Sequence, residues 1–153
     1  AAAGYGFVSP LHFYNIPSNK NGKMTLVGYV NILNAIVLPW LKNKEDFVLK
    51  EDNNGAHGTG KKNIVRTWKE EHNLKYFFNC HNSPDLSPIE NCWQPPKQYI
   101  RKFPHWDKDD TRELAQEGWD KVRRDFSFIN KRVDSMPQRL RDCIDQDGQM
   151  TGW

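Results

Sequence analysis

The chain has 153 residues, the length of one domain, and its 37% hydrophobic share with six Trp and eight Phe supplies enough large apolar groups to exclude intrinsic disorder. Cys80, Cys92 and Cys143 are odd in number and lack paired short spacing, which excludes a disulfide framework and a zinc ribbon and fits a reducing compartment. The longest apolar stretch, residues 32–40, is broken by Asn34 and Pro39 and is too short to span a bilayer, so no membrane partner is expected, while a formal net charge of +3 permits a nucleic-acid partner without requiring one.

In chain order, Phe7-Val8 and Leu11-His12-Phe13-Tyr14 predict two short strands around Pro10, an opening hairpin, and residues 18–23 carry the Asn/Gly chemistry of a loop. Leu26, Val27, Val30, Ile32, Leu33, Ile36, Val37 and Leu41 recur at mostly helical spacing and predict a long, largely buried helix over residues 24–41, ended or bent by Pro39. The apolar run from Phe47 into Glu51 and Asp52, followed by Asn53-Asn54-Gly55, predicts a buried strand with carboxylates at its C-terminal end, where open α/β sheets bind ligands. A helix over 63–72, a strand over 74–79 and a helix beginning after Ser87 follow, and residues 109–145 read as helical throughout. Pro95-Pro96 should cut short the helix that begins at Pro88, with a second restarting towards Phe103. Together these predict an α/β class, a mixed sheet flanked by helices in one domain over 1–153, with residues 107–153 as its helical C-terminal part.

Two carboxylates stand where a metal could be held: Asp52 at the end of the strand and Glu90 on the first turn of a helix. Two-metal phosphoryl transfer needs acidic ligands converging on cations roughly 3.5–4 Å apart, and such a crevice usually needs three. Each acid also has a purely local reading. Ser87-Pro88-Ile89-Glu90 is a capping box with Pro at the first helical position, and Asp52 fits a turn aspartate bonding the backbone of Asn53-Asn54-Gly55.

Local pattern cannot choose between these readings, but a longer motif does. Ser83-Pro84-Asp85-Leu86-Ser87-Pro88-Ile89-Glu90-Asn91-Cys92-Trp93 closely resembles the glutamate motif of mariner-like transposases of the DDE superfamily. Glu51-Asp52-Asn53 with His57 resembles that family's second-aspartate motif, and Ser135-Met136-Pro137-Gln138-Arg139-Leu140 its closing helix, so the resemblance covers nearly the whole chain. It implies a ribonuclease H-like fold, two Mg²⁺ (or Mn²⁺) ions with Asp52 and Glu90 as second and third ligands, cleavage and transfer of DNA strands at transposon ends, a nuclear or otherwise intracellular location, and a homodimer as a candidate assembly. His57 is a candidate for orienting a phosphate or the attacking water. Lys61, Lys62, Arg66 and Lys69, then Lys97, Arg101 and Lys102, then Lys121, Arg123 and Arg124 are candidates for tracking a phosphate backbone, against the plainer reading of solvated faces.

The same resemblance sets expectations about what is missing. The family's first catalytic aspartate precedes the region where this chain begins, residues 1–44 contain no carboxylate, and the N-terminal helix-turn-helix region is absent, so a truncated, inactive fragment incomplete at its N-terminus is expected. The alternative is a non-catalytic nucleic-acid-binding or interaction module derived from a transposase. Three further signals are read as plain structure. Asp85, between two prolines, is assigned to turn formation. Gly55-Ala56-His57-Gly58-Thr59-Gly60-Lys61 imitates a phosphate-binding loop, but Lys62 stands where Ser or Thr should hold Mg²⁺. Trp68, Trp93, Trp106 and Trp119 are read as core rather than as stacking platforms.

Overall fold

The computed structural model describes residues 1–16, 22–43 and 48–153. Residues 18–21 of the predicted loop, Phe47 of the predicted strand, and Glu45 and Asp46 lie outside the described residues.

The chain opens with strands β1 (Ala3–Gly4) and β2 (Phe7–Val8), paired antiparallel with Ala3 opposite Val8 and Gly4 opposite Phe7. The expected hairpin is present but displaced, because residues 11–14 form no strand. Ser9 makes the last ladder-like bond, to the Ala2 carbonyl at 2.9 Å, and Pro10 has no N–H with which to continue. Thr25 then caps α1 (Leu26–Ile32), its hydroxyl accepting from the Gly28 N–H, and α1 runs through a π-helical stretch (Leu33–Val37) into α2 (Leu38–Leu41). Pro39 does not stop this helix at once. The ladder ahead of it widens, Leu38 N–H bonding the Leu33 carbonyl five residues back, and the helix ends at Leu41.

Strand β3 (Val48–Glu51) pairs in parallel with β4 (Lys75–Phe78), Val48 opposite Lys75 through Glu51 opposite Phe78, and α3 (Ile64–Glu71) connects them as a β-α-β unit. The expected single mixed sheet is therefore two separate pairs among the described residues, since β1 and β2 are only two residues long and make no ladder to β3 or β4. Helices α4 (Pro88–Cys92) and α5 (Gln94–Ile100) follow, then α6 (Lys108–Arg124), α7 (Phe126–Asp134) and α8 (Met136–Asp145), which fulfil the expected helical C-terminal part. The break falls at Trp93, but Pro95 and Pro96 start α5 instead of standing in a gap, because a helix's first turn needs no N–H donor from them.

Contacts gather in two compact units, one of Ala1–Phe13 with Ser83–Trp153 and one of Tyr14–Asn82. In the first, Trp119, Cys92, Val122 and Ile129 form a buried core, with Trp93 stacked on Trp119 at 4.5 Å. Gly118 lets α5 and α6 approach closely, since a Cβ there would meet Pro96 Cα at 3.0 Å. In the second, Leu33, Val37, Leu49, Val65, Trp68 and Leu74 are the core, so the face of the long helix that holds Leu33 and Val37 covers the β-α-β unit.

Candidate active site

Successive residues of a strand point to opposite faces, and the end of β3 uses this to separate two acids. Glu51 turns inward and is buried; Asp52, the next residue, is 71% exposed at its side chain. Asp52 Oδ1 accepts the Asn54 N–H at 3.0 Å, the turn contact its local reading predicts, and also lies 2.6 Å from His57 Nδ1. Its Oδ2 has no partner among the described residues. The Asn53 amide donates to the Asn79 carbonyl and Asn79 N–H to the Glu51 carbonyl, so the C-terminal ends of the parallel strands are laced together beside Asp52.

Beneath Asp52 lies a cluster that the sequence did not reveal, and it removes Lys69 from the candidates for tracking a phosphate backbone, because its ammonium is buried against Glu51. Lys69, fully buried on α3, donates to Glu51 Oε2 at 2.5 Å and to the His57 carbonyl at 2.9 Å, and the Tyr29 hydroxyl donates to Glu51 Oε1. The ammonium also sits 4.2 Å from the centre of the Tyr76 ring and 5.1 Å from that of Phe78. Burial pulls the Lys69 pKa down while the Glu51 carboxylate opposes that shift; burial and the same carboxylate push the Tyr29 hydroxyl up. Strand alternation was the available signal: two adjacent acids at the end of a half-buried strand cannot both face water, so the inward one needs a cation.

His57 is half-buried, its ring 4.4 Å from that of Tyr29, in the 3₁₀ turn Gly55–His57 that Gly58 closes at φ +82. Lys61 and Lys62 are exposed between that turn and α3. The phosphate-loop reading fails here on geometry as well as on sequence. Asn63 Oδ1 accepts the Val65 and Arg66 N–H groups at 3.1 and 3.0 Å, and these are the helix-start amides a phosphate would require.

In the other unit, the motif over 83–93 buries Asp85, Leu86 and Cys92 and leaves Glu90 exposed. The capping-box reading is not realised: Ser87 makes no side-chain cap, and the Glu90 carboxylate has no partner among the described residues. Asp85 does more than form a turn. Its Oδ2 accepts both the N–H and the hydroxyl of Thr151 at 2.8 Å. Burial alone would raise this carboxyl, but the Thr151 hydrogen bonds outweigh it and hold the group below its ordinary value. Arg139, buried on α8, donates to the Asp85 carbonyl at 2.6 Å, to Asn91 Oδ1 at 2.7 Å and to Ser135 Oγ at 2.8 Å, fastening the motif to the closing helix. Cys92 is a buried thiol, its pKa pushed up by burial. Lys97 and Arg101 stand exposed on and just after α5.

Asp52, His57, Lys61 and Lys62 thus belong to one unit and Glu90, Lys97 and Arg101 to the other. Among the described residues no three Asp, Glu, His or Cys side chains gather as a closed metal cage. The donors that are free, Asp52 Oδ2 and the Glu90 carboxylate, are hard oxygens of the kind Mg²⁺ and Mn²⁺ take while keeping several waters. Trp68 and Trp119 are core as expected and Trp93 packs on Trp119, but Trp106 is 90% exposed, contrary to expectation, because it precedes the N-cap of α6 and so lies off every helical face.

No protein-family model matches the chain. It is similar to the Tc1 transposase of a transposable element of Caenorhabditis elegans, 30% identical over 125 residues that make up 80% of this chain and 44% of that protein. The Tcb2 transposase of Caenorhabditis briggsae is 28% identical over 78% of this chain and 43% of its own length, and the Tcb1 transposase of the same organism 24% identical over 85% and 46%. The chain is a relative of transposable-element transposases and spans less than half the length of each of these three.

Proposed function

We propose that this chain is part of the catalytic domain of a DDE-type, mariner-like transposase with a ribonuclease H-like fold, and that Asp52 and Glu90 are two of its metal ligands. The observation that carries this reading is the state of Glu90. A motif that buries its other acid and ties itself to α8 holds one carboxylate in solvent with neither cap nor ion pair among the described residues, in a chain related to transposases.

The substrate in the whole protein is a DNA phosphodiester, with transposon ends as the partner, a nuclear or otherwise intracellular site of action, and a homodimer as its assembly. A bound pair of Mg²⁺ or Mn²⁺ ions supplies a nucleophile of lowered pKa, water or a DNA 3′-hydroxyl, and offsets charge at the scissile phosphate. The chain's own residues have simpler tasks. Asp52 offers Oδ2, because Asn54 and His57 hold Oδ1. Glu90 offers its unengaged carboxylate, and Lys61, Lys62, Lys97 and Arg101 neutralise backbone phosphates.

The test is a Mn²⁺ titration of the 153-residue chain followed by electron paramagnetic resonance, with Asp52→Asn and Glu90→Gln beside the wild type. Each substitution is expected to weaken Mn²⁺ binding at least several-fold while leaving the melting temperature unchanged. Equal Mn²⁺ binding by all three proteins would overturn the assignment.

A further inference from the structure

We infer that the exposed segment 101–106, between α5 and α6, is a contact surface for unpaired DNA, with Trp106 and Phe103 stacking on bases and Arg101 and Lys102 meeting phosphates. The inference rests on the reading of DNA as the partner and adds the kind of DNA this surface takes.

Every residue from 101 to 106 is exposed, Trp106 by 90% and Phe103 by 42%. An exposed Trp ordinarily loses apolar burial for no return, so this one is unusual among the chain's aromatics. The backbone beneath it is nevertheless held. Phe103 N–H bonds the Ile100 carbonyl at 3.2 Å, closing α5, and Trp106 N–H donates to Asp110 Oδ2 at 3.2 Å, joining the segment to α6. The Phe103 ring packs 4.9 Å from Tyr99, whose ring centre lies 3.6 Å from the Lys121 ammonium and whose hydroxyl donates to Glu117 Oε2 at 2.8 Å. Tyr99, Phe103, Lys102 and Lys121 line a cleft of about 440 Å³ beside the segment.

Charge decides which ligand such a surface fits. The acids nearby are already engaged: Asp107 caps α6 through the Asp109 and Asp110 N–H groups, Asp109 pairs with Arg112 at 3.5 Å, and Asp110 holds Trp106 N–H. Arg101 and Lys102 have no carboxylate partner among the described residues. Two adjacent cations, Arg101 and Lys102, beside the exposed ring of Trp106 and the half-exposed ring of Phe103 match a chain that offers both phosphates and unstacked bases, which is single-stranded nucleic acid. A duplex hides its base faces and would use only the cations.

The experiment is fluorescence anisotropy of a short labelled single strand and of the blunt duplex of the same sequence, titrated with the 153-residue chain across a salt series. Trp106→Ala is expected to weaken single-strand binding about tenfold, within the range of one aromatic–base stack, and duplex binding by less than about twofold. Trp106→Phe should retain most of the affinity, and Lys102→Gln should lower the single-strand salt slope by about 0.7. Because Trp106 is exposed, thermal melts of both Trp106 variants should match the wild type. Unchanged single-strand binding by Trp106→Ala, equal losses on strand and duplex, or no single-strand binding by the wild type would each overturn the inference. A failed Mn²⁺ titration with the strand-specific loss intact would remove the metal assignment alone; the reverse result would remove this surface alone.

Discussion

Replacing Lys69 by Met removes a fully buried ammonium and leaves its hydrophobic stem, so the loss reads out the charge rather than a cavity. Glu51 stays behind, buried, with only the Tyr29 hydroxyl to bond its carboxylate among the described residues, and the His57 carbonyl loses its Lys69 donor. Breaking a buried pair by deleting one partner costs about 3–5 kcal/mol, because the remaining charge is uncompensated. Removing both charges behaves differently. In Lys69→Met with Glu51→Gln the neutral amide still accepts from Tyr29, and the double variant should recover most of the loss, leaving it within about 1–2 kcal/mol of the wild type. Urea denaturation followed by circular dichroism at neutral pH measures all four corners of this cycle. A cost under about 1 kcal/mol for Lys69→Met, or a double variant no more stable than the single one, would refute the view that Glu51 and Lys69 are held as a mutually dependent pair.

Asp85 gives a pH-dependent counterpart. The Thr151 hydrogen bonds depress its folded pKa, so their stabilisation is present above the ordinary carboxyl value of about 3.9 and is lost as pH falls through the lower folded value. Asp85→Asn should therefore be less stable than the wild type at pH 7 by about 1–3 kcal/mol, and the difference should shrink in urea melts towards pH 3; a constant difference would contradict the assignment. On the proposed assignment Asp52 and Glu90 supply two of the acids a metal pair needs, so catalysis by the 153-residue chain alone is expected to be absent. Mg²⁺-dependent nicking of supercoiled DNA by pure protein, abolished in Asp52→Ala, would show that expectation to be wrong.

Much of the fold was legible where apolar periodicity is strong. Apolar spacing from Leu26 to Leu41 read as a helix and is one, while the π-helical stretch was hidden because it answers a local conflict between Pro39 and the hydrogen-bond ladder ahead of it. The β-α-β unit was legible from its apolar runs on either side of the helix read over 63–72. The opening hairpin was misplaced because Ala3 and Gly4 carry no strand signal; they are paired by position across a turn at Gly6, whose N–H the distant Asn130 accepts at 2.8 Å. Long-range polar partners were likewise invisible. Nothing local links Asp85 to Thr151 or Lys69 to Glu51, and the pairing exists only once strands and helices are placed.

The two motifs share a plan that a one-dimensional pattern cannot display. Each contains two acids, and in each the fold consumes one and presents the other. Glu51 is bound by Lys69 and Tyr29, so the strand end and the His57 turn are fixed to the same ammonium, and Asp52 and its His57 neighbour emerge from a single clamped piece of backbone. Asp85 is bound by Thr151 and backed by Arg139, whose guanidinium also grips Asn91, the residue after Glu90. A carboxylate in solvent loses rotamer freedom when a ligand fixes it, and a backbone already immobilised from beneath leaves only that side-chain cost to meet. The buried acids therefore act on the exposed ones through rigidity. It follows that Lys69→Met should disturb Mn²⁺ binding through Asp52 even though Lys69 faces away from it, whereas the double variant with Glu51→Gln, which is expected to restore most of the stability, should restore the binding as well.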